Sequence, residues 1–415
     1  EIEGIFPCGD VIIFNFHDVA AFYYPSDGIT IMSDDPKFPY ELPDFHPTCF
    51  YIDSCGNLWV GSSSSGYVLC PAAEPINPIP ALRRNCSNLN VMDVDRDNDD
   101  RLWILTRNGD IIHTDSNMET RLLDTGGLGI SRANQFAYDR RDDTVWIGCD
   151  NNLVHAKAEN SGLSVISSWK ISGRVVRIVP YGNGTQILAG TSDGHIYNIS
   201  QSSCDSVKVS RTRIYDIAPL SDGTMAISAF RDDLYILNPS TMHVSRLPYR
   251  DVLGEMYHIQ VIKEIRPGIL ALGTLDYGLY LYSLDTHEAV KIESLSCSAI
   301  ESIEIDNSGD AWIGTQYGLN QYDLKQGLNI MYGISDSDFP GKYSLRASCI
   351  LSNGIIVFGG THGITLCDPS LNSSIDRYPL TFEGLKVNGI NVSPADSSCM
   401  EKPIWECGEI HLTHN

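Results

Sequence analysis

The 415 residues carry 29 Lys and Arg against 52 Asp and Glu, a formal net charge of -23, with 42% hydrophobic and 9% aromatic side chains. That balance supplies apolar material for a large core and argues against nucleic acid or an anionic membrane surface as a partner, because both select a basic footprint. No apolar run approaches the roughly eighteen residues that cross a bilayer, and the opening "EIEGIFPCGD" lacks a signal-peptide pattern, so the chain reads as cytosolic or as following a removed targeting segment.

Taken in chain order, the predicted elements repeat. "GDVIIFNF" (9–16), "IDSCGNLWVGS" (52–62), "VDRDNDDRLWILT" (94–106), "YDRRDDTVWIGC" (138–149), "NGTQILAGT" (183–191), "SDGTMAISAF" (221–230), "RPGILALGT" (266–274), "IDNSGDAWIGT" (305–315) and "SNGIIVFGG" (352–360) share one grammar. Most pair a turn rich in Asp, Asn, Ser or Gly with a short apolar strand. The position two after the aromatic falls at Phe14, Gly61, Leu105, Gly148, Gly190, Ser228, Gly273, Gly314 and Gly359, in steps of about 38 to 47 residues. A period of that size marks an array whose unit is a small antiparallel sheet.

The eighth copy shows the unit most plainly. "AIESIEID" alternates apolar and polar residues, "NSGD" is turn chemistry, "AWIGT" is a second strand, "LNQYDL" a third and "LNIMYGI" a weaker fourth. The expected fold is therefore all-β: a β-propeller of about 43-residue four-stranded blades with almost no helix. Nine repeats are reconciled by a seven-bladed ring over residues 86–375, preceded by two propeller-type repeats over 1–85 that end an earlier propeller. A single eight- or nine-bladed ring is the alternative.

Two further patterns have ordinary explanations. The aspartates of 93–100 suggest a calcium loop, but counting from Asp95 the sixth and twelfth positions hold Asp100 and Thr106, where that loop needs glycine and glutamate. They read instead as one copy of the repeated turn. Twelve cysteines are scattered without a CxxC, and Cys70, Cys149 and Cys367 fall in or beside predicted strands, so they are expected in the core. Neither a metal nor a cofactor is expected.

After residue 375 the pattern breaks. "LTFEGLKVNGINV" alternates like the first strands of an immunoglobulin-like sandwich, of which 376–415 is too short to be more than the beginning.

"DNSGDAWIGTQYGLNQYD" (306–323) and "DSCGNLWVGSSSSG" (53–66) resemble the two-component-regulator propeller repeat, and "GIIVFGGTHGITLCDPS" followed by "YPLTFEGLKVNGINV" resembles the junction into a Y_Y_Y domain. The chain is similar to the periplasmic sensor region of hybrid two-component systems from glycan-degrading bacteria. That resemblance implies two seven-bladed propellers and a Y_Y_Y domain ahead of a membrane helix, a histidine kinase and a response regulator. It implies further a membrane-anchored full-length protein, a ligand-sensing role for this segment and an oligosaccharide as ligand, and leaves a homodimer open.

A ligand site is expected on one face of the ring, where the loops leading into the innermost strands and those joining second and third strands meet. Counting back sixteen residues from each repeat position gives Phe45, Leu89, Arg132, Arg174, Thr212, Tyr257, Ser298 and Tyr343, with Arg213 and His258 one residue later. The second set of loops contributes Tyr277, Tyr317 and His362. The candidate ligand-binding residues are thus Arg132, Arg174, Arg213, Tyr257, His258, Tyr277, Tyr317, Tyr343 and His362. Aromatic rings stack on the apolar faces of sugars, and arginine bonds carboxylate or sulfate with two parallel donors. A protein-interaction scaffold is the alternative. A propeller glycosidase or lyase is disfavoured, since Asp53 and Asp306 sit six residues before their tryptophans rather than the five of a sialidase-type Asp-box, and no catalytic residue is assigned.

Overall fold

The computed structural model describes residues 2–371 except 10, 17–18, 27, 36–45, 54–56, 64–65, 71–75, 77–81, 83–84, 117, 131, 160–161, 183–185, 201–202, 248, 250–252, 254–257, 296 and 333–341; beyond 371 it describes 384–387, 389–392, 402 and 404. The chain divides into two compact units, Glu1–Leu371 and Asn372–Asn415.

The first unit is a series of antiparallel sheets, one for each repeat. Sheets at 91–122, 135–170, 175–208, 214–247, 259–291 and 300–332 have four strands each, as does the sheet at 2–31; those at 47–70 and 343–367 have three. Within each sheet the strands follow chain order, so neighbours in sequence are neighbours in the sheet. In the eighth repeat Ile300–Ile305 pairs with Ala311–Thr315, then Leu319–Tyr322, then Asn329–Tyr332. Gly309, at φ 89°, takes the left-handed conformation that the first turn requires.

The repeated Asp-to-Trp spacing is a turn lock. Asp306 accepts from the backbone N–H groups of Ser308 (2.8 Å) and Asp310 (3.0 Å) and from the Trp312 indole N–H (2.9 Å). Asp53 does the same for Asn57 and Trp59, each at 2.9 Å. In the third repeat Asp97 holds the turn through Asp99 and Arg101 (2.8 and 2.9 Å), but its second oxygen faces His113 at 3.1 Å. The other carboxylates of that cluster have protein partners too: Asp95 meets Arg140, Asp99 meets Arg101, and Asp100 meets Arg96 and the backbone N–H of Ser352.

Seven sheets, from 91 to 367, close into a ring. Each innermost strand packs against the next, and the last, Tyr343–Ile350, lies against the first, Val91–Arg96. Val91, Val94 and Ile104 share a core with Ala347, Cys349, Val357 and Leu366 across that junction. Arg96 Nε donates to the Ile350 carbonyl at 2.7 Å, and Ser344 Oγ to the Val91 carbonyl at 2.5 Å. The seventh blade gains a pairing from chain ahead of the ring, where Ile76 bridges Cys367 antiparallel.

The repeat glycine is where neighbouring blades touch. A Cβ on Gly148 would collide with Val175, on Gly190 with Ile214, on Gly273 with Ile300, and on Gly359 with Val91, each the first residue of the next blade's innermost strand. The two leading sheets share a core of their own, in which Ile13, Phe22 and Met32 pack against Phe50, Leu58, Val60 and Cys70. Cys70, Cys149 and Cys367 are buried free thiols. In the second unit the described strands are a hairpin, Leu385–Val387 with Ile390–Val392, turned by Gly389 at φ 81°. Among the described residues no helix is long and apolar enough to cross a membrane.

Candidate ligand-binding site

Antiparallel pairing puts the start of each innermost strand beside the end of the second strand, as Val175 beside Thr191 and Ile214 beside Ala229 show. The loops leading into the first strand and those joining second to third therefore share one rim of the ring. Arg132, Arg174, Arg213 and His258 lie on that rim just before their strands, and Tyr277, Tyr317 and His362 in the second set of loops.

Their surroundings differ. Arg132 donates to the Arg107 carbonyl in the adjoining blade. Arg174 pairs through Nε with Asp150 at 2.8 Å, and Asn134 bonds the same carboxylate at 2.9 Å. The Asp150 carboxyl is held below its usual range chiefly by those two side-chain bonds. Tyr317 is 65% exposed, and His362 is exposed with Nδ1 3.0 Å from Thr361 Oγ1. Tyr277 is half-buried against the core that contains Tyr249 and Tyr280.

Tyr343 must be withdrawn from the set. It is 1% exposed, faces Phe358 and Trp312, and its hydroxyl bonds Thr365 Oγ1 at 2.9 Å. The offset that reaches a loop in other blades reaches the first residue of the strand here, because the last blade carries a register shift between Tyr343 and Ser348. Tyr257 lies outside the described residues.

Arg213 and His258 meet at a cluster that the repeat offset only half foresaw. The Arg213 guanidinium lies 5.6 Å from the Tyr215 ring centre, Tyr215 meets Phe230 edge-on at 5.7 Å, and Phe230 lies 5.4 Å from the His258 ring. Arg231 sits 5.2 Å from the Phe230 ring centre and donates through Nε to His258 Nε2 at 3.2 Å. Two guanidiniums and three aromatic or heteroaromatic rings thus converge on one stretch of the rim, a set suited to stacking a sugar ring and bonding its oxygens. Arg231 was detectable in sequence: it stands three residues after Ser228, as Tyr317 stands after Gly314. Tyr215 and Phe230 lie inside or at the end of strands, where the count did not look.

At the centre of the ring a cavity of about 220 Å³ is lined by Asp93, Arg177, Asp216, Lys263, Glu304, Arg346 and Ser348, among others. Arg346 has φ 58°, a left-handed backbone outside the usual range for arginine. The bulge turns it inward, where its guanidinium donates to the carbonyls of Tyr215, Gln260 and Val176, one in each of three other blades. Lys263 Nζ meets Glu304 at 2.6 Å, and Ser348 Oγ bonds the same carboxylate at 2.8 Å. Burial pushes the Asp93 carboxyl up to about 7 and lowers Arg346 to about 10. Acids and bases are interleaved here so that blades are tied across the axis.

No protein-family model matches the chain. In fold it is similar to the extracellular domain assigned to the hybrid two-component system BT3049 from B. thetaiotaomicron, with a TM-score of 0.69 and 18% identity over 94% of this chain and 56% of that one. The extracellular domain assigned to a one-component system, BT4673, from the same organism gives a TM-score of 0.55 and 17% identity over 98% of this chain and 57% of that one. The WD40 propeller domain of Doa1 gives a TM-score of 0.53 and 13% identity over 68% of this chain and 93% of that one. A histidine kinase, P4, of Formosa agariphila is 25% identical over 143 residues, 33% of this chain and 10% of its own length. The chain thus spans a little over half of the first sensor structure and a tenth of the kinase.

Proposed function

We propose that this chain is the ligand-sensing region of a membrane-anchored hybrid two-component histidine kinase, on the extracytoplasmic, periplasmic side, and that it binds an oligosaccharide released from a polysaccharide. The observation that carries this reading is the convergence of Arg213, Tyr215, Phe230, Arg231 and His258 on one rim of a propeller whose fold is similar to those of bacterial sensor ectodomains. In this reading the segment has no catalytic role. In it residues 376–415 open the Y_Y_Y domain, through which binding shifts domain packing or dimer geometry, by no more than the ligand's differential affinity for the two states.

The test is thermal denaturation of the chain with a panel of oligosaccharides. A ligand at about 100 times its Kd stabilises by roughly 2.7 kcal/mol. Changing Arg213 and His258 together to Ala should remove that stabilisation and leave the unliganded melting temperature within about 2 °C, since Arg213 is exposed and His258 half-buried. Undiminished stabilisation in the double variant would refute the site. Failure of every oligosaccharide to stabilise the parent chain would favour a protein-interaction scaffold instead.

A further inference from the structure

Beside the aromatic cluster, an open groove of about 840 Å³ runs between the ring's third and fourth blades, lined among the described residues by Lys208, Val209, Ser210, Arg211, Thr212, Arg231, Asp232 and Tyr235. Resting on the reading just given, we infer that this groove is a subsite for an anionic sugar, and that the ligand class is an acidic oligosaccharide bearing carboxylate or sulfate.

Charge is the first argument. The chain has a formal net charge of -23, yet the groove brings together three cations, Lys208, Arg211 and Arg231, against one carboxylate, Asp232. That carboxylate is already engaged: it takes the Ser210 hydroxyl. The acidic surface elsewhere repels anions, and the local excess of positive charge admits them here. Arg213, one residue past the groove lining, and Arg231, shared with the aromatic cluster, make the two regions continuous.

Shape and donors are the second. Gly194, at φ 86°, lets the loop of residues 209–213 between the two blades lie close, where the backbone N–H groups of Val209 and Ser210 reach its carbonyl at 2.9 and 3.2 Å, and a Cβ there would strike Ser210. The loop is fixed further by Thr212, whose hydroxyl donates to the Phe230 carbonyl at 2.7 Å. The cationic side chains thus project from a held backbone, while Lys208, Arg211 and Arg231 remain exposed. Tyr235 is pushed up to about 12 by burial and then by Asp232, whose carboxylate its hydroxyl faces. Arginine's fork suits a carboxylate or sulfate, and the volume lies within the roughly 300 to 1,000 Å³ usual for ligand pockets.

The test is isothermal titration of the chain with digalacturonate, a sulfated chondroitin disaccharide, cellobiose and inorganic sulfate, at about 50 and about 300 mM NaCl, repeated on Lys208→Glu with Arg211→Glu. Both acidic disaccharides, or one, should bind, weaken with salt, and lose about ten-fold or more in affinity in the charge-reversed variant, while cellobiose and sulfate bind far less. Sulfate binding as tightly as the acidic sugars would overturn the carbohydrate assignment. Cellobiose binding with unchanged affinity in the variant, and no acidic sugar binding, would overturn the acidic class but leave the oligosaccharide reading standing. No binding by any sugar would overturn both. Arg211→Gln alone, with a melting temperature matching the parent, serves if the double variant is poorly folded, and should retain a smaller loss for the acidic sugars.

Discussion

Asp306 shows what one side chain does for a whole repeat. Its carboxylate is buried, accepts two turn N–H groups, and takes the Trp312 indole proton at 2.9 Å. Six residues is the distance at which a carboxylate at the end of the first strand reaches back over a four-residue turn to the indole of the second. Where the aspartate is diverted or absent the indole finds no partner among the described residues: Asp97 serves His113 rather than Trp103 Nε1, and Arg140 occupies the aspartate position six before Trp146. Changing Asp306 to Ala leaves the buried Trp312 indole N–H without its acceptor and frees two partly exposed turn N–H groups, and should cost about 1 to 3 kcal/mol. Chemical denaturation measures this, and a loss below about 0.5 kcal/mol would show that water replaces the carboxylate.

Between elements the decisive contact is glycine against the first residue of the next blade. Gly359 against Val91 differs from the other pairs only in closing the ring rather than extending it. Gly359→Val should destabilise by about 1 to 3 kcal/mol through overpacking. Adding Val91→Ala should restore part of that, because the two sites share the volume. A double variant as unstable as the sum of the two single ones would mean the residues act independently and that ring closure rests on other contacts. The repeat pattern in sequence identified Gly359 as equivalent to Gly314; the contact with Val91, far away in sequence, appears only when the ring is closed.

For the whole molecule, the axis is where all seven blades meet and where pH should act. The Asp93 carboxyl, raised chiefly by burial from its ordinary 3.8 to about 7, is flanked in the channel by Asp95, Arg177 and Arg346. The folded chain therefore holds a proton that the unfolded chain releases between those values. Its stabilisation is complete below about pH 4 and is lost as pH rises through about 7. Asp93→Asn should accordingly gain melting temperature relative to the parent as pH goes from about 5 to about 8. A difference that stays constant over that range would show that Asp93 is ionised throughout in the folded protein.

Much of this architecture was legible in the chain. Period, turn chemistry and alternation are local properties, so nine repeats, blades of mostly four strands, the burial of Cys70, Cys149 and Cys367 and the rim positions of Arg174, Arg213 and His258 could be read from residues close together in sequence. Tertiary structure decided the rest, because it depends on residues far apart. It brought Tyr343 into the core through a bulge no offset reveals, sent Arg346 across the axis to three other blades, and set Ile76 against Cys367. It also gathered Lys208, Arg211 and Arg231 around one groove on a chain whose overall charge gave no sign of it, since net charge sums over the sequence while a ligand responds to what surrounds one place.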